Sequence, residues 1–312
     1  MRTRTTLGGA LVLVAAVSCA PADEPEAALL PSSGTLTVGD VELNWVREGQ
    51  GPVVFVLGSS VYYPKAYSSE LRDHFELVFL DGRHFVPDYA PGQEALAEVD
   101  LTTFADDVEA ARQALGYDEI VVVGHSVHGQ IALEYADRYP ESTSRIVLIG
   151  PVPFAFSEFA TETQEVWEEL ASDERRSLMD ARRATLDEAV GAAPSSRSFA
   201  VGYNHQGPLY WADPAYDATY VLEGLENGPA FGRLTGTLPT RAEARARLER
   251  IDIPILLVLG RLDFAIPYKV WERLIDGVDG VDYVLMEEDS HNPQTESPER
   301  FDPILIEWLT NN

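Results

Sequence analysis

The chain has little sulfur and little positive charge. Among its 312 residues there are one cysteine, Cys19, and three methionines. A lone thiol cannot close an intramolecular disulfide, and its place near the N-terminus excludes cysteine catalysis. Lysine and arginine number 23 against 51 aspartates and glutamates, a formal net charge of −28. So acidic a surface repels phosphate backbones and anionic lipid, which excludes nucleic acid as a partner. The acids are scattered along helical stretches such as Glu165-Val-Trp-Glu-Glu169 rather than massed in a tail, the pattern of a solvated surface. There is no internal repeat. The apolar run Leu7–Val17 is about half the ~20 residues needed to cross a bilayer.

That run has a different meaning. Arg2 and Arg4 precede it and Ser18-Cys19-Ala20-Pro21 follows, the layout of an export signal. Ala15-Ala16-Val17-Ser18-Cys19 resembles a bacterial lipobox, which makes residues 1–19 a lipoprotein-type signal and Cys19 the acylated residue. Cleavage after Ala20 or Ala22 with plain secretion is the alternative. The expected location is the periplasm or cell exterior, with contact to the membrane only through the N-terminal lipid. Residues 20–34 are rich in proline, alanine and acid without apolar period, and are expected to form a disordered tether.

From residue 35 the pattern is that of a folded body, 45% hydrophobic overall. Thr35–Val38 and Val41–Val46 alternate about Gly39-Asp40 and predict a hairpin. Val53–Leu57, Glu76–Leu80, Ile120–Val123, Arg145–Ile149, Ile253–Leu259 and Val281–Met286 are short strand-like apolar runs. Between two of them, Leu101, Phe104, Ala105, Val108, Ala111 and Leu115 recur at helical spacing, with Asp100 as N-cap and Gly116 as stop. Strands alternating with helices at such intervals predict an α/β fold with a mainly parallel sheet covered on both faces. Residues 153–245 break the alternation with charged amphipathic helices and an aromatic segment, Tyr203–Tyr220. They separate a first part of the body, 35–152, from a second, 246–312.

One stretch organises the chemistry. In Ile120-Val-Val-Val-Gly124-His125-Ser126-Val127-His128-Gly129, a strand turns into a helix around a serine, the arrangement of a nucleophile elbow. A serine hydroxyl needs a base, a group that orients the base and donors for the oxyanion. His291 lies just beyond the last strand and Asp263 just beyond Gly260, both at the carboxyl ends of parallel strands, the edge where Ser126 sits. Asp289 competes with Asp263 as the orienting group. The amides of Ser59 and Val127 are the expected oxyanion donors.

Gly124-His-Ser126, Tyr139-Pro-Glu-Ser, Gly260-Arg-Leu-Asp263 and Ser290-His-Asn-Pro with Ser297-Pro-Glu-Arg-Phe301, in that order, resemble the α/β-hydrolase superfamily. The similarity is to its small esterases and proline iminopeptidase-like enzymes. It implies an eight-stranded, mostly parallel sheet flanked by helices, with 153–245 as a helical cap. It also implies a serine hydrolase that cleaves a small ester, amide or short peptide through an acyl-enzyme without a cofactor. An aminopeptidase would need carboxylates for the free amine, for which Glu223 and Glu226 are candidates. A hydrolase fold kept as a binding module without turnover is the third reading.

Three positions depart from the pattern. His128 stands where the elbow usually has glycine, so a widened gap between strand and helix is expected there. Leu57-Gly58-Ser59-Ser60 replaces the usual His-Gly-Gly-Pro, and His84 follows Asp81-Gly-Arg where glycine is common. His125 reads as a packed elbow residue. Ser60, His128, Tyr203, His205, Tyr210 and Trp211 are candidates to line the substrate site. For His128 a structural role is the alternative, and for the last four, core packing of the cap. His125 and His128 have no third ligand at matching spacing, so no metal is expected.

Overall fold

The computed structural model describes residues 32–311. The expected signal, lipidation site and all but the end of the tether lie outside them. Eight strands form one sheet: β1 (Ser33–Val38), β2 (Val41–Gly49), β3 (Val53–Gly58), β4 (Glu76–Asp81), β5 (Ile120–His125), β6 (Thr143–Ile149), β7 (Ile255–Gly260) and β8 (Val281–Met286). Their order is β1-β2-β4-β3-β5-β6-β7-β8. β1 pairs antiparallel with β2, and β2 with β4; every other pairing is parallel.

Period-two alternation sorts the strand residues between two apolar layers. Phe55, Leu57, Val78, Leu80, Val122, Ile146, Leu148 and Leu257 join one core, with Phe104 and Val108 of the helix Leu101–Leu115, Ile131 and Tyr135 of His128–Arg138, and Trp271 of Tyr268–Ile275. Val54, Val56, Phe79, Val123, Val147, Ile149 and Val258 join the other, with Phe301 and Leu305 of the helix Pro298–Asn311. Each such aliphatic side chain, taken fully from water, contributes roughly 1.5–3 kcal/mol. The helix Leu101–Leu115 is capped as its sequence suggests. The Asp100 carboxylate accepts from the amides of Thr102 and Thr103, and Gly116 ends the helix at φ 80°. Arg83, in the loop after β4, donates to both oxygens of Asp107 on this helix, at 2.7 and 2.6 Å, and fixes that loop against it.

Two expected boundaries shift. Ser33 and Gly34, assigned to the tether, belong to β1, where Gly34 lies under the Trp45 indole of β2. The cut at 245 falls inside the helix Arg241–Leu248, which Thr240 caps. Arg247 of this helix pairs with Glu134, and Arg245 Nη1 donates to the carbonyls of Leu274 and Asp276, so the helix packs with the body. Between β6 and this helix the regular elements are all short helices joined by loops, without a strand.

Candidate active site

Because β3 and β5 to β8 are parallel, the loops that follow them emerge along one edge of the sheet, where ligands of open α/β sheets bind. Ser126 follows β5 there. Its φ of 57° is the only positive value for a non-glycine among the described residues. The conformation costs about 1–2 kcal/mol for an L-residue. Three backbone bonds hold it: the Ser126 amide donates to Ile149 O, and the amides of Val152 and Gly129 donate to Ser126 O, at 3.0, 3.0 and 3.1 Å.

His291, in the loop after β8, is fully buried, and Asp263, after β7, nearly so. His291 Nδ1 lies 2.6 Å from Asp263 Oδ2. A carboxylate only accepts, so Nδ1 carries a proton, and Nε2 has no hydrogen-bond partner among the described residues. The other oxygen, Asp263 Oδ1, accepts from the amides of Ala265 and Ile266 at 2.9 and 2.8 Å, which fixes the carboxylate plane. Asp289 is committed elsewhere: its Oδ1 accepts from Ser297 Oγ and Arg300 Nη2. Of the two aspartates, Asp263 is the one that contacts the His291 imidazole. Gly150 explains the closeness of the group. At φ 46°, a Cβ there would stand 3.1 Å from His291 Nδ1 and 3.4 Å from Asp263 Oδ2.

The loop bearing His291 is itself anchored. Glu296 accepts from the amides of Ser290 and Asn292, on either side of the histidine, and from that of Ala212 in the helical insertion, at 3.0, 2.9 and 2.9 Å. Burial, aided by Asp289, outweighs these bonds and pushes the Glu296 carboxyl up to about 7. The Asn292 amide group donates to Tyr203 Oη and Tyr210 O.

Ser126 and His291 line one cavity of about 210 Å³, with Ser59, Val127, His128, Tyr203 and Tyr210. No Ser126 Oγ–His291 Nε2 hydrogen bond is formed, as is common before substrate aligns a site. The amides of Ser59 and Val127 donate to no acceptor among the described residues, whereas the neighbouring Ser60 amide is taken by Asp81 Oδ1 at 2.6 Å. The remaining wall is mostly apolar, with Phe85, Phe199, Phe231, Leu222 and Leu225 on the side of the insertion and Val152, Ala265 and Ile266 nearer the sheet; Tyr62, Tyr63, His125 and Thr235 are its other polar members. Among the described residues no aspartate, glutamate, lysine or arginine lines it. Glu226 instead accepts from Ser196 Oγ at the surface, and Glu223 lines a separate groove.

Three expected lining residues are not there. Ser60 turns toward Asp81. His205 faces the separate groove beside Arg182 and bonds Thr185 Oγ1 at 2.9 Å. Trp211 is buried behind the wall, stacked on Tyr216 with ring centroids 4.2 Å apart. The expected widening at His128 is also absent. A Cβ on Gly124 would be 2.6 Å from Gly129 Cα, so strand and helix touch one residue later than usual. The His128 ring is housed by Gly58 instead: at φ 122°, a Cβ on Gly58 would fall 2.5 Å from the imidazole. Sequence reasoning missed Tyr62, Tyr63 and Phe85. The first two lie just beyond Ser59-Ser60-Val61 and Phe85 adjoins His84, so their neighbours were the available signal. Among the described residues no group of three or more His, Cys, Asp or Glu is placed to hold a metal ion.

A model of the α/β-hydrolase fold matches residues 56–298. The AB hydrolase superfamily protein YclE of Bacillus subtilis is 30% identical over 274 residues, 86% of this chain and 95% of its own. A proline iminopeptidase of Clostridioides difficile is 24% identical over 282 residues, 85% of this chain and 92% of its own. Among solved structures, a thermophilic esterase from Thermogutta terrifontis superposes with a TM-score of 0.61 at 20% identity, covering 89% of this chain and 98% of that one. Sheet order, elbow and family match agree: the chain belongs to the α/β-hydrolase fold family.

Proposed function

We propose that the protein is a serine hydrolase acting on a small, uncharged ester through an acyl-enzyme. One observation carries the reading: the Asp263–His291 pair leaves an unpartnered, buried Nε2 on the wall of the cavity into which the strained Ser126 projects. Ser126 Oγ attacks the carbonyl carbon as its proton passes to His291 Nε2. The amides of Ser59 and Val127 hold the oxyanion that forms. The C–O bond to the alcohol then breaks and His291 returns the proton to the leaving oxygen. Water, deprotonated by the same nitrogen, releases the acid and restores Ser126. Asp263 fixes the tautomer and balances the imidazolium.

The uncharged lining favours a neutral substrate over a free N-terminal amine, because burying an ammonium without a carboxylate is costly. The test is a panel of nitrophenyl acetate, nitrophenyl butyrate and prolyl-naphthylamide. The esters should turn over and the prolyl amide should not, and Ser126→Ala should lower kcat on the esters by a factor on the order of 10⁶. Ester turnover that survives the substitution removes the reading. The sequence of residues 2–20 supports a lipid anchor at Cys19. Its test is detergent-phase partition, which Cys19→Ser should abolish.

A further inference from the structure

Three buried histidines take no part in the chemistry above, yet they adjoin it. His125 Nε2 lies 2.9 Å from the backbone carbonyl of His291, and its Nδ1 lies 3.3 Å from Tyr63 Oη. The same hydroxyl lies 2.8 Å from His128 Nδ1, and His128 Nε2 lies 2.8 Å from His84 Nε2. Proton positions along this row follow from what each atom can do. A carbonyl only accepts, so His125 Nε2 bears hydrogen. All three imidazoles are kept neutral, chiefly by burial, so His125 Nδ1 is bare and Tyr63 must donate to it. Tyr63 has one proton, so its oxygen accepts from His128 Nδ1–H. His128 Nε2 is then bare and accepts from His84 Nε2–H. The opposite direction would set two acceptors face to face at Tyr63 and His125.

We propose that His84, His128, Tyr63 and His125 form one directional hydrogen-bond chain that positions the main chain of His291 against the oxyanion loop. The proposal rests on the serine-hydrolase reading and adds four positioning residues to it. The chain starts in the loop after β4 and crosses to the first turn after the elbow. From there it reaches the helix behind Ser59 and the end of β5, and it finishes in the loop after β8. At one end the His128 ring fills the space under Gly58, the residue before the oxyanion amide of Ser59. At the other, the His125 ring also packs on that of His291, with centroids 4.8 Å apart. Bonds that all point one way polarise one another, and a low-dielectric interior strengthens each. Cutting the row in the middle leaves two buried nitrogens without partners and frees the His291 carbonyl loop to drift, and misplacement of a base lowers kcat more than binding.

The test joins a spectrum to kinetics. In the intact, ¹⁵N-histidine-labelled protein, His125 and His84 should be protonated at Nε2 and His128 at Nδ1. Tyr63→Phe, which removes one oxygen, should lower kcat on nitrophenyl acetate about tenfold with KM within about twofold. His125→Gln, which keeps an N–H toward His291 O, should recover most of the rate that His125→Ala loses. The proposal is overturned by His128 protonated at Nε2, by a charged imidazole at any of the three positions at neutral pH, or by an active Tyr63→Phe variant with unchanged kcat. The tautomers are read without turnover, so a wild-type protein that cleaves no ester defeats the hydrolase reading while the chain is still judged by the spectrum.

Discussion

Lowering the pH from 6.5 to 5 should destabilise the fold, through the buried histidines. An ordinary histidine titrates near 6.5, and burial pushes His84 down to about 3. His125 and His128 are also driven well below the usual value, first by burial and then by their imidazole neighbours. Between these limits each ring is neutral when folded and charged when unfolded. The unfolded state therefore binds more protons, and stability falls as the pH falls. At pH 5 His84 takes up nearly one proton on unfolding, which costs about 1.5 kcal/mol relative to pH 6.5, and His125 and His128 add to the loss in the same direction. Glu296 opposes them. Raised to about 7 from 4.5, it is protonated in the fold before it is in the unfolded chain, which returns about 2 kcal/mol over the same range. Losses of this order count against the roughly 5–15 kcal/mol that holds a domain together. Urea unfolding followed by tryptophan fluorescence at the two pH values measures the difference. Glu296→Gln removes the opposing group and should widen the difference by about 2 kcal/mol. An equal or higher urea midpoint at pH 5 refutes the argument, because it requires these rings to be charged or exposed in the native state.

Other perturbations separate chemistry from architecture. Asp263→Asn turns an amide toward His291 Nδ1 and reverses the tautomer. It should lower kcat by a factor on the order of 10⁴ with little change in KM, measured on nitrophenyl butyrate. Gly58→Ala drives a methyl into the His128 ring and cannot hold φ 122°, so the urea midpoint should drop by the equivalent of about 3 kcal/mol. Phe231→Ala removes a ring packed on Phe199 at 4.7 Å in the cavity wall. The ratio of kcat/KM for hexanoate over acetate esters should rise by on the order of tenfold.

Most of the body is legible in the sequence because its strands are short β-branched runs and its helices carry clear start and stop signals, as at Asp100 and Gly116. Ser126, Asp263 and His291 are legible because each follows a strand of one parallel sheet, so order alone brings them to one edge. The insertion is harder. Tyr203 and His205 share the helix Ser198–His205, but two residues apart on a helix means opposed faces, and only one reaches the cavity. Tyr210 and Trp211 are adjacent, and the chain turns extended at Trp211, so their side chains part. The histidine row is not legible at all. Its members come from three separate stretches, the helix behind Ser59, the loop after β4 and the elbow, and nothing local in Asp81-Gly-Arg-His84 or Gly124-His125 announces their meeting. The glycines that make room, Gly58 and Gly82, lie on other loops than the rings they admit or carry no sign of which ring is coming.

The most direct measurement of the central claim is covalent labelling with a fluorophosphonate, read by intact mass and peptide mapping. One adduct per chain is expected, on Ser126 in the peptide between Arg112 and Arg138, forming at a rate that Asp263→Asn slows and absent from Ser126→Ala. Ester turnover by a protein that takes no label at Ser126 would contradict the account.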